Sequence, residues 1–153
     1  VAEHILSKTE GYSDYLKITA ALYFVQSAIR YTSDQALYGC HEFWASPCET
    51  LLFHKGDCED TSVLLMSILG AMGYDSVLLD YDGHEAVGVR QGDQPAPDYL
   101  YCETASDDLM KPGFGDSNGV PTVYVPGETS ALMGYANGIV ASYRNMIQRV
   151  AGT

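Results

Sequence analysis

The segment GDCEDTSVLLMSILGAMGYDSVLL, residues 56–79, joins a cysteine to a helical pattern and then to a strand pattern. Asp57 suits the N-cap position of a helix, and Asp60 suits the acidic partner of a capping box. Apolar residues then cover much of the helix surface, which predicts a largely buried helix that ends at Gly73. The segment therefore places Cys58 at the first turn of a core helix that leads directly into a sheet.

Further helix and strand patterns lie on both sides of this segment. Apolar residues three and four apart predict an earlier helix over 14–30. Ser46, Pro47 and Glu49 form the signature of a capped helical turn. Apolar and alternating patterns predict strands over 75–81, 84–90, 98–104 and 120–126, and a last helix is expected over 130–150. Helices that precede an antiparallel sheet predict one α+β domain over residues 1–153.

The composition is acidic, with 20 Asp and Glu against 8 Lys and Arg and a formal charge of −12. This balance argues against nucleic acid and anionic membrane surfaces as partners, because both need basic contacts. No apolar run approaches the ~20 residues that a membrane span requires. Twelve tyrosines and few lysines slightly favour an extracellular or cell-surface protein, and we expect a monomer.

Cys58 is the residue for which the sequence suggests chemistry. The free N–H groups and dipole of a helix N-terminus lower the pKa of a thiol and can hold an oxyanion. The neighbouring carboxylates oppose a thiolate, although capping would occupy the charges of Asp57 and Asp60. An inert thiol is the alternative, because cysteine is among the most buried residue types.

A histidine and a carboxylate on neighbouring predicted strands complete a possible catalytic set. A hairpin in which Arg90 faces Pro97 would place His84 directly opposite Glu103, within hydrogen-bonding reach. A carboxylate can orient a histidine, and the histidine can then act as the base for a cysteine. The alternative is a structural histidine beside an exposed carboxylate.

Two metal sites compete with this hypothesis. Five possible zinc ligands lie close in sequence: Cys40, His41, Cys48, His54 and Cys58. They include no C-x-x-C pair, and their spacing fits no structural zinc pattern. Four possible calcium ligands lie in the loop after the last long strand: Asp107, Asp108, Asp116 and Asn118. They lack EF-hand spacing, so we expect no metal, with calcium possible but without a recognised motif.

Three segments together resemble the transglutaminase-like superfamily of papain-like fold, in its microbial cysteine peptidase and amidase branch. They are the segment 56–79, GHEAVGV at 83–89 and YLYCETA at 99–105, and the lead-in over 31–60 is also similar. The resemblance covers residues 15–105. It implies Cys58 as nucleophile, His84 as general base and Glu103 as the third member, a position where the family more often has aspartate.

The resemblance also implies a reaction. Such enzymes form a thioester with an amide carbonyl, which water or an amine then resolves. A single compact domain favours hydrolysis of a peptide, isopeptide or amide over protein crosslinking, and a non-catalytic binding or adhesion module is the remaining alternative. Trp44 or Tyr38 could wall a substrate or oxyanion site beside the cysteine. No cofactor is implied, and the pairing of the other cysteines stays open.

Overall fold

A computed structural model describes residues 1–92, 98–115 and 119–126 of the chain. The helix expected over 130–150 lies outside these residues, as do Asp116 and Asn118. The helices are α1 (Ala2–Lys8), α2 (Asp14–Ala28), α3 (Asp34–Leu37), α4 (Pro47–Phe53) and α5 (Cys58–Ala71). The strands are β1 (Arg30–Tyr31), β2 (Lys55–Gly56), β3 (Ser76–Tyr81), β4 (His84–Gln91), β5 (Asp98–Cys102) and β6 (Thr122–Tyr124).

Four of these strands form an antiparallel sheet in the order β5-β4-β3-β6, and β1 pairs with β2 in a separate two-residue parallel bridge. Helix α5 packs on β3 and β4, with α2 and α4 against its other sides. The prediction of an α+β fold with helices ahead of an antiparallel sheet is confirmed. Within the described residues, no helix combines the length and apolar character needed to cross a membrane.

The core is formed by α1, α2, α5 and one face of the sheet. Leu64, Leu65 and Leu69 of α5 are almost fully buried there. Val87 and Val89 of β4 join the same cluster, because alternate residues of a strand point to one face. The helix ends as predicted at Gly73, whose φ of +90° is one that glycine adopts without steric cost. Burial of its apolar surface thus fixes the position of α5 and of the cysteine at its start.

The short helix α4 has the predicted capping box. The Ser46 side chain accepts the N–H of Glu49, and the Glu49 carboxylate accepts the N–H of Ser46 at 2.8 Å. Helix α2 ends earlier than predicted, because Arg30 leaves the helical path and donates its N–H to the carbonyl of His54. The pairing with residues far along the chain overrides the local helical pattern.

The predicted register between the two long strands was wrong. Arg90 pairs with Tyr99 rather than Pro97, because β4 continues to Gln91, which pairs with Asp98 at the start of β5. Continued past Cys102, this register brings Glu103 opposite Ala86 and diagonal to His84. A shift of two residues keeps each side chain on its face, since the side-chain period of a strand is two. The contact between histidine and carboxylate therefore survives the correction.

Candidate active site

Cys58 is the first residue of α5, and Asp57 stands at the N-cap position. The carboxylate of Asp57 nevertheless makes no capping bond; it accepts the N–H of Asp34 at 3.2 Å. Asp60 Oδ1 accepts the N–H of Ala45 at 2.7 Å. The predicted side-chain cap by Asp57 was therefore wrong. Asp60 has the bond expected of a capping-box partner, because a backbone hydrogen bond from Asp57 opposes the rise that burial causes in the pKa of the Asp60 carboxyl. Both carboxylates also accept N–H groups from the segment before α4, which would otherwise lack acceptors.

The thiol of Cys58 lies among carboxylates. Its Sγ donates to Glu85 Oε2 at 2.9 Å and lies 3.4 Å from Glu59 Oε2. Burial of the thiol raises the pKa of Cys58 well above its usual range, and the hydrogen bond and charge of Glu85 raise it further. In this arrangement the surroundings outweigh the helix N-terminus, contrary to the expectation of a lowered pKa.

His84 Nε2 lies 2.8 Å from Glu103 Oε2, in a hydrogen bond that is an ion pair when the imidazole is protonated. The same oxygen accepts the hydroxyl of Tyr101 at 2.8 Å, and Oε1 accepts the N–H of Ala105 at 3.1 Å. Burial alone would raise the pKa of the Glu103 carboxyl, but these hydrogen bonds outweigh it and lower that pKa. The bond to Glu103 in turn raises the pKa of His84. The pair holds the imidazole in a fixed orientation.

No hydrogen bond joins Cys58 to His84, although both residues lie in the described part of the chain. Glu85 lies on the face of β4 that packs on α5, together with Val87 and Val89, and reaches the thiol from there. His84 uses Nε2 for Glu103, and its Nδ1 makes no hydrogen bond to a described residue. The structure thus brings two of the three proposed residues into contact and leaves the third bonded to Glu85.

Sequence reasoning missed Glu85. The alternation of β4 was correctly read, with Val87 and Val89 on one face, and Glu85 belongs to that same face. The signal for it was therefore present two residues before Val87. The pattern does not show at which residue of β4 the N-terminus of α5 packs. This position along the strand brings Glu85 into contact with the Cys58 sulfur.

The two aromatic candidates lie in the loop before α4. The ring of Tyr38 stacks at 4.0 Å on that of Phe43, and its buried hydroxyl has no hydrogen-bond partner in the described structure. Trp44 Nε1 donates to Glu42 Oε1 at 3.0 Å. Neither side chain forms a hydrogen bond with Cys58, and a role in substrate or oxyanion binding stays a prediction.

Several buried carboxylates converge beside the cysteine. Oxygen atoms of Asp34, Asp57 and Glu59 lie within 4.8 Å of one another, and all three residues are buried. Asp34 Oδ1 and Asp57 Oδ1 have no hydrogen-bond partner among the described residues. Burial raises the pKa of Asp34 to about 7 and that of Glu59 to about 10, and the charge of Asp57 adds to both. No sequence pattern pointed to Asp34, which lies 23 positions before Asp57.

The other predicted metal ligands lie elsewhere. Among the described residues, the groups that gather three potential ligand atoms do not include Cys40, His41, Cys48 or His54. All four cysteines are free thiols, and Cys102 is buried in the core as its strand position predicted. The carboxylates of Asp107 and Asp108 are exposed.

A cleft of about 400 Å³ lies beside the N-terminal turn of α5. Residues 26–31 line one side, residues 104–107 line the other, and Thr61 and His54 complete it. The Thr61 hydroxyl donates to the carbonyl of Cys58 at 3.2 Å. One lining residue, Thr61, therefore lies one helical turn after Cys58, and Cys58 itself does not line the cleft.

Three solved structures of similar fold are of Legionella pneumophila LapG. The EGTA-treated form matches with a TM-score of 0.60 and 13% identity, over 92% of this chain and 86% of that chain. A second LapG structure matches with a TM-score of 0.55 and 14% identity, over 97% and 84%. The calcium-bound form matches with a TM-score of 0.52 and 16% identity, over 72% and 64%.

These matches show that the chain has a papain-like, transglutaminase-like fold. At this level of identity the likeness concerns the fold alone. The sequence matches no protein-family model, and no curated protein matches it.

Proposed function

We propose that this protein is a transglutaminase-like cysteine peptidase or amidase, which hydrolyses an amide bond through a thioester on Cys58. The observation that carries the proposal is the ion pair of His84 with Glu103, which stands at the start of β4, the strand whose next residue contacts the thiol. The fold that the chain shares with LapG, a transglutaminase-like cysteine protease, supports the same class of reaction.

The proposed reaction assigns one role to each residue. The Cys58 thiol leaves Glu85 and transfers its proton to His84 Nδ1, while Glu103 keeps Nε2 occupied. The thiolate attacks the amide carbonyl, and N–H groups of the first turn of α5 hold the resulting oxyanion. His84 then protonates the leaving amine as the C–N bond breaks. Water, deprotonated by His84, attacks the thioester and releases the carboxylic acid and the thiol.

The bond from the thiol to Glu85 must break before this reaction can begin. Rotation about the Cα–Cβ bond of Cys58 moves the sulfur to another staggered position without any change of the backbone. Because the neighbouring carboxylates oppose a thiolate, a positive charge beside Cys58 would favour the reactive form.

Calcium is the cation that we propose for this position. The donor set is all oxygen, as calcium prefers. Asp34 and Asp57, which belong to the cluster with Glu59, each have one buried oxygen without a hydrogen-bond partner among the described residues. One of the similar LapG structures is described as calcium-bound. A bound calcium ion would supply charge that offsets the carboxylates around the thiol.

The decisive experiment is the rate of alkylation of Cys58 by iodoacetamide against pH, followed by mass spectrometry of the modified peptide. The exposed thiol of Cys48 is an internal reference in the same molecule. We expect Cys58 in calcium to react faster than Cys48 near neutral pH and to lose this advantage in His84→Ala. A Cys58 that reacts no faster than Cys48, with or without calcium, contradicts the proposal and favours a non-catalytic module.

A second measurement separates hydrolysis from crosslinking. Cleaved amide substrates are analysed with and without a primary amine such as glycine ethyl ester. We expect the carboxylic acid as the main product in both cases. Predominant transfer of the acyl group to the amine would instead identify a transglutaminase.

A further inference from the structure

The short strand β1 has one free edge. Arg30 donates its N–H to the carbonyl of His54, and Thr32 donates its N–H to the carbonyl of Gly56, both at 2.9 Å. In a strand the main-chain groups of successive residues point to opposite sides. The N–H and C=O of Tyr31 therefore point away from β2, and they form no hydrogen bond within the described structure.

Tyr31, the residue with this free edge, lines the cleft at the N-terminal turn of α5. Tyr31 lines the cleft together with Arg30 and Thr61, and Thr61 is bonded to the carbonyl of Cys58. The Tyr31 side chain is 54% exposed. After burial of the phenol, the charges of Cys58 and Asp57 are the next largest influences that raise the pKa of Tyr31. Tyr31 thus stands near the thiol and open to an incoming molecule.

We propose that β1 binds the main chain of an extended peptide substrate, with the Tyr31 N–H donating to a substrate carbonyl and the Tyr31 carbonyl accepting a substrate N–H. This inference rests on the proposed function and narrows its substrate class from amides in general to extended polypeptide segments. Strand addition suits such a substrate, since main-chain hydrogen bonds supply affinity without regard to sequence.

The bridge to β2 fixes the orientation of β1 and therefore of its free edge. Two hydrogen bonds on the far side of β1 hold Arg30 and Thr32, and helix α5 begins two residues after the end of β2. Edge, cleft and nucleophile therefore belong to one connected piece of structure.

Proline at position 31 tests the donor. Proline lacks an N–H, and it is tolerated in an edge strand where that group faces away from the partner strand. Tyr31→Ala is the matched control, because it removes the ring and keeps the N–H. On a peptide selected from a synthetic library by wild-type cleavage, we expect kcat/KM of Tyr31→Pro to be about threefold to tenfold below that of Tyr31→Ala. The loss should lie mainly in KM.

N-methylation of the peptide tests the acceptor. Each residue near the cleaved bond is N-methylated in turn, and the wild-type protein is assayed on the series. We expect one position to lose activity through the missing hydrogen bond while its two neighbours lose much less, because only alternate residues of a strand face a given edge. Circular dichroism of Tyr31→Pro, compared with wild type, reports whether the variant is folded.

Three outcomes overturn the inference. Equal kcat/KM for Tyr31→Pro and Tyr31→Ala would show that the Tyr31 N–H does not bind the substrate. An N-methylated series without a single sensitive position would show that the Tyr31 carbonyl does not accept a substrate N–H. In the third outcome, the protein cleaves no library peptide although alkylation of Cys58 still depends on His84. This result would overturn the proposal of a peptide substrate, but it would not contradict amide hydrolysis. Loss of that His84 dependence would instead overturn the proposed function itself.

Discussion

Glu85 Oε2 lies 2.9 Å from Cys58 Sγ, while the preceding residue of the same strand, His84, is bonded to Glu103. Two adjacent residues of β4 thus have different partners in the candidate site. One holds the thiol in its protonated form, and the other is oriented by a carboxylate. The proposed reaction requires the Cys58 thiol to leave Glu85 and to form a hydrogen bond with His84.

Replacement of Glu85 by glutamine should make Cys58 more reactive. Burial of the thiol is the largest cause of the raised pKa of Cys58, and Glu85 is the next. Loss of the Glu85 charge lowers that pKa, so the thiolate fraction at a given pH rises. In calcium-free buffer at pH 8 we expect alkylation of Cys58 to accelerate roughly tenfold. The exposed Glu3→Gln, remote on α1, is the charge-matched control, and an unchanged rate in Glu85→Gln would show that burial alone sets the pKa.

The ion pair of His84 with Glu103 should stabilise the fold in a defined pH range. The raised pKa of His84 gives stability that is complete below its unfolded value, about 6.5, and lost as pH rises through the folded value. The lowered pKa of Glu103 gives stability that is present above its unfolded value, about 4.3, and lost as pH falls. Glu103→Gln should therefore cost more at pH 6 than at pH 9, by on the order of 1 kcal/mol after allowance for the half-exposed histidine.

Urea denaturation of wild type and Glu103→Gln at the two pH values measures this difference. Tyr101→Phe is the control, because it removes a neutral donor to the same carboxylate oxygen. Its cost should be the same at both pH values. A Glu103→Gln cost that does not vary with pH would mean that the pair contributes no charge interaction.

The buried carboxylates should make the calcium-free protein less stable as pH rises. The pKa of Asp34 is raised to about 7, chiefly by burial, so the folded protein binds this proton more tightly than the unfolded chain. Stability then falls as pH increases from about 4, the unfolded value, through 7. In EGTA we expect a lower free energy of unfolding at pH 8 than at pH 5, and a smaller decline in Asp34→Asn.

Added calcium should reverse this decline. At pH 8 we expect calcium to raise the melting temperature of wild type, and to raise it less in Asp34→Asn, because a ligand that binds only the folded state stabilises it. Glu10→Gln, an exposed carboxylate, is the control. Isothermal titration calorimetry provides the binding constant directly, and wild-type protein that shows neither heat nor a thermal shift would exclude the calcium site.

Gly56 should be required for the packing of Asp60. A Cβ at position 56 would lie 2.7 Å from Asp60 Cβ and 2.9 Å from Asp60 Oδ2. Both atoms belong to a buried side chain that is held by the N–H of Ala45. We expect Gly56→Ala to destabilise the protein by about 1–3 kcal/mol, the usual cost of overpacking.

Gly70 offers the matched substitution. It lies within α5, and a Cβ there would meet nothing within 4 Å. Gly70→Ala should leave stability unchanged or raise it by up to about 1 kcal/mol through helix propensity. Thermal or urea unfolding of the two variants decides the point, and equal effects would contradict the close contact at Gly56.

Much of the architecture followed from local patterns. The capping box of Ser46 with Glu49, the glycine stop of α5 and the alternation of β4 are each encoded by residues a few positions apart. Helices α1 and α3 and the bridge of β1 with β2 were missed. The bridge consists of two residues on each side, and it is held by partners 25 positions away in sequence. No local periodicity marks such a pairing.

The site divides in the same way. The sequence by itself determined that Cys58 begins a buried helix and that His84 and Glu103 share a face of the sheet, because helix caps and strand alternation depend on neighbouring residues. Only the tertiary structure decided which strand residue contacts the sulfur, where Asp34 lies and which N–H donors the carboxylates of Asp57 and Asp60 bind. These contacts depend on where along β4 the N-terminus of α5 packs, and on buried N–H groups that lie far away in sequence. Packing of the whole core determines both.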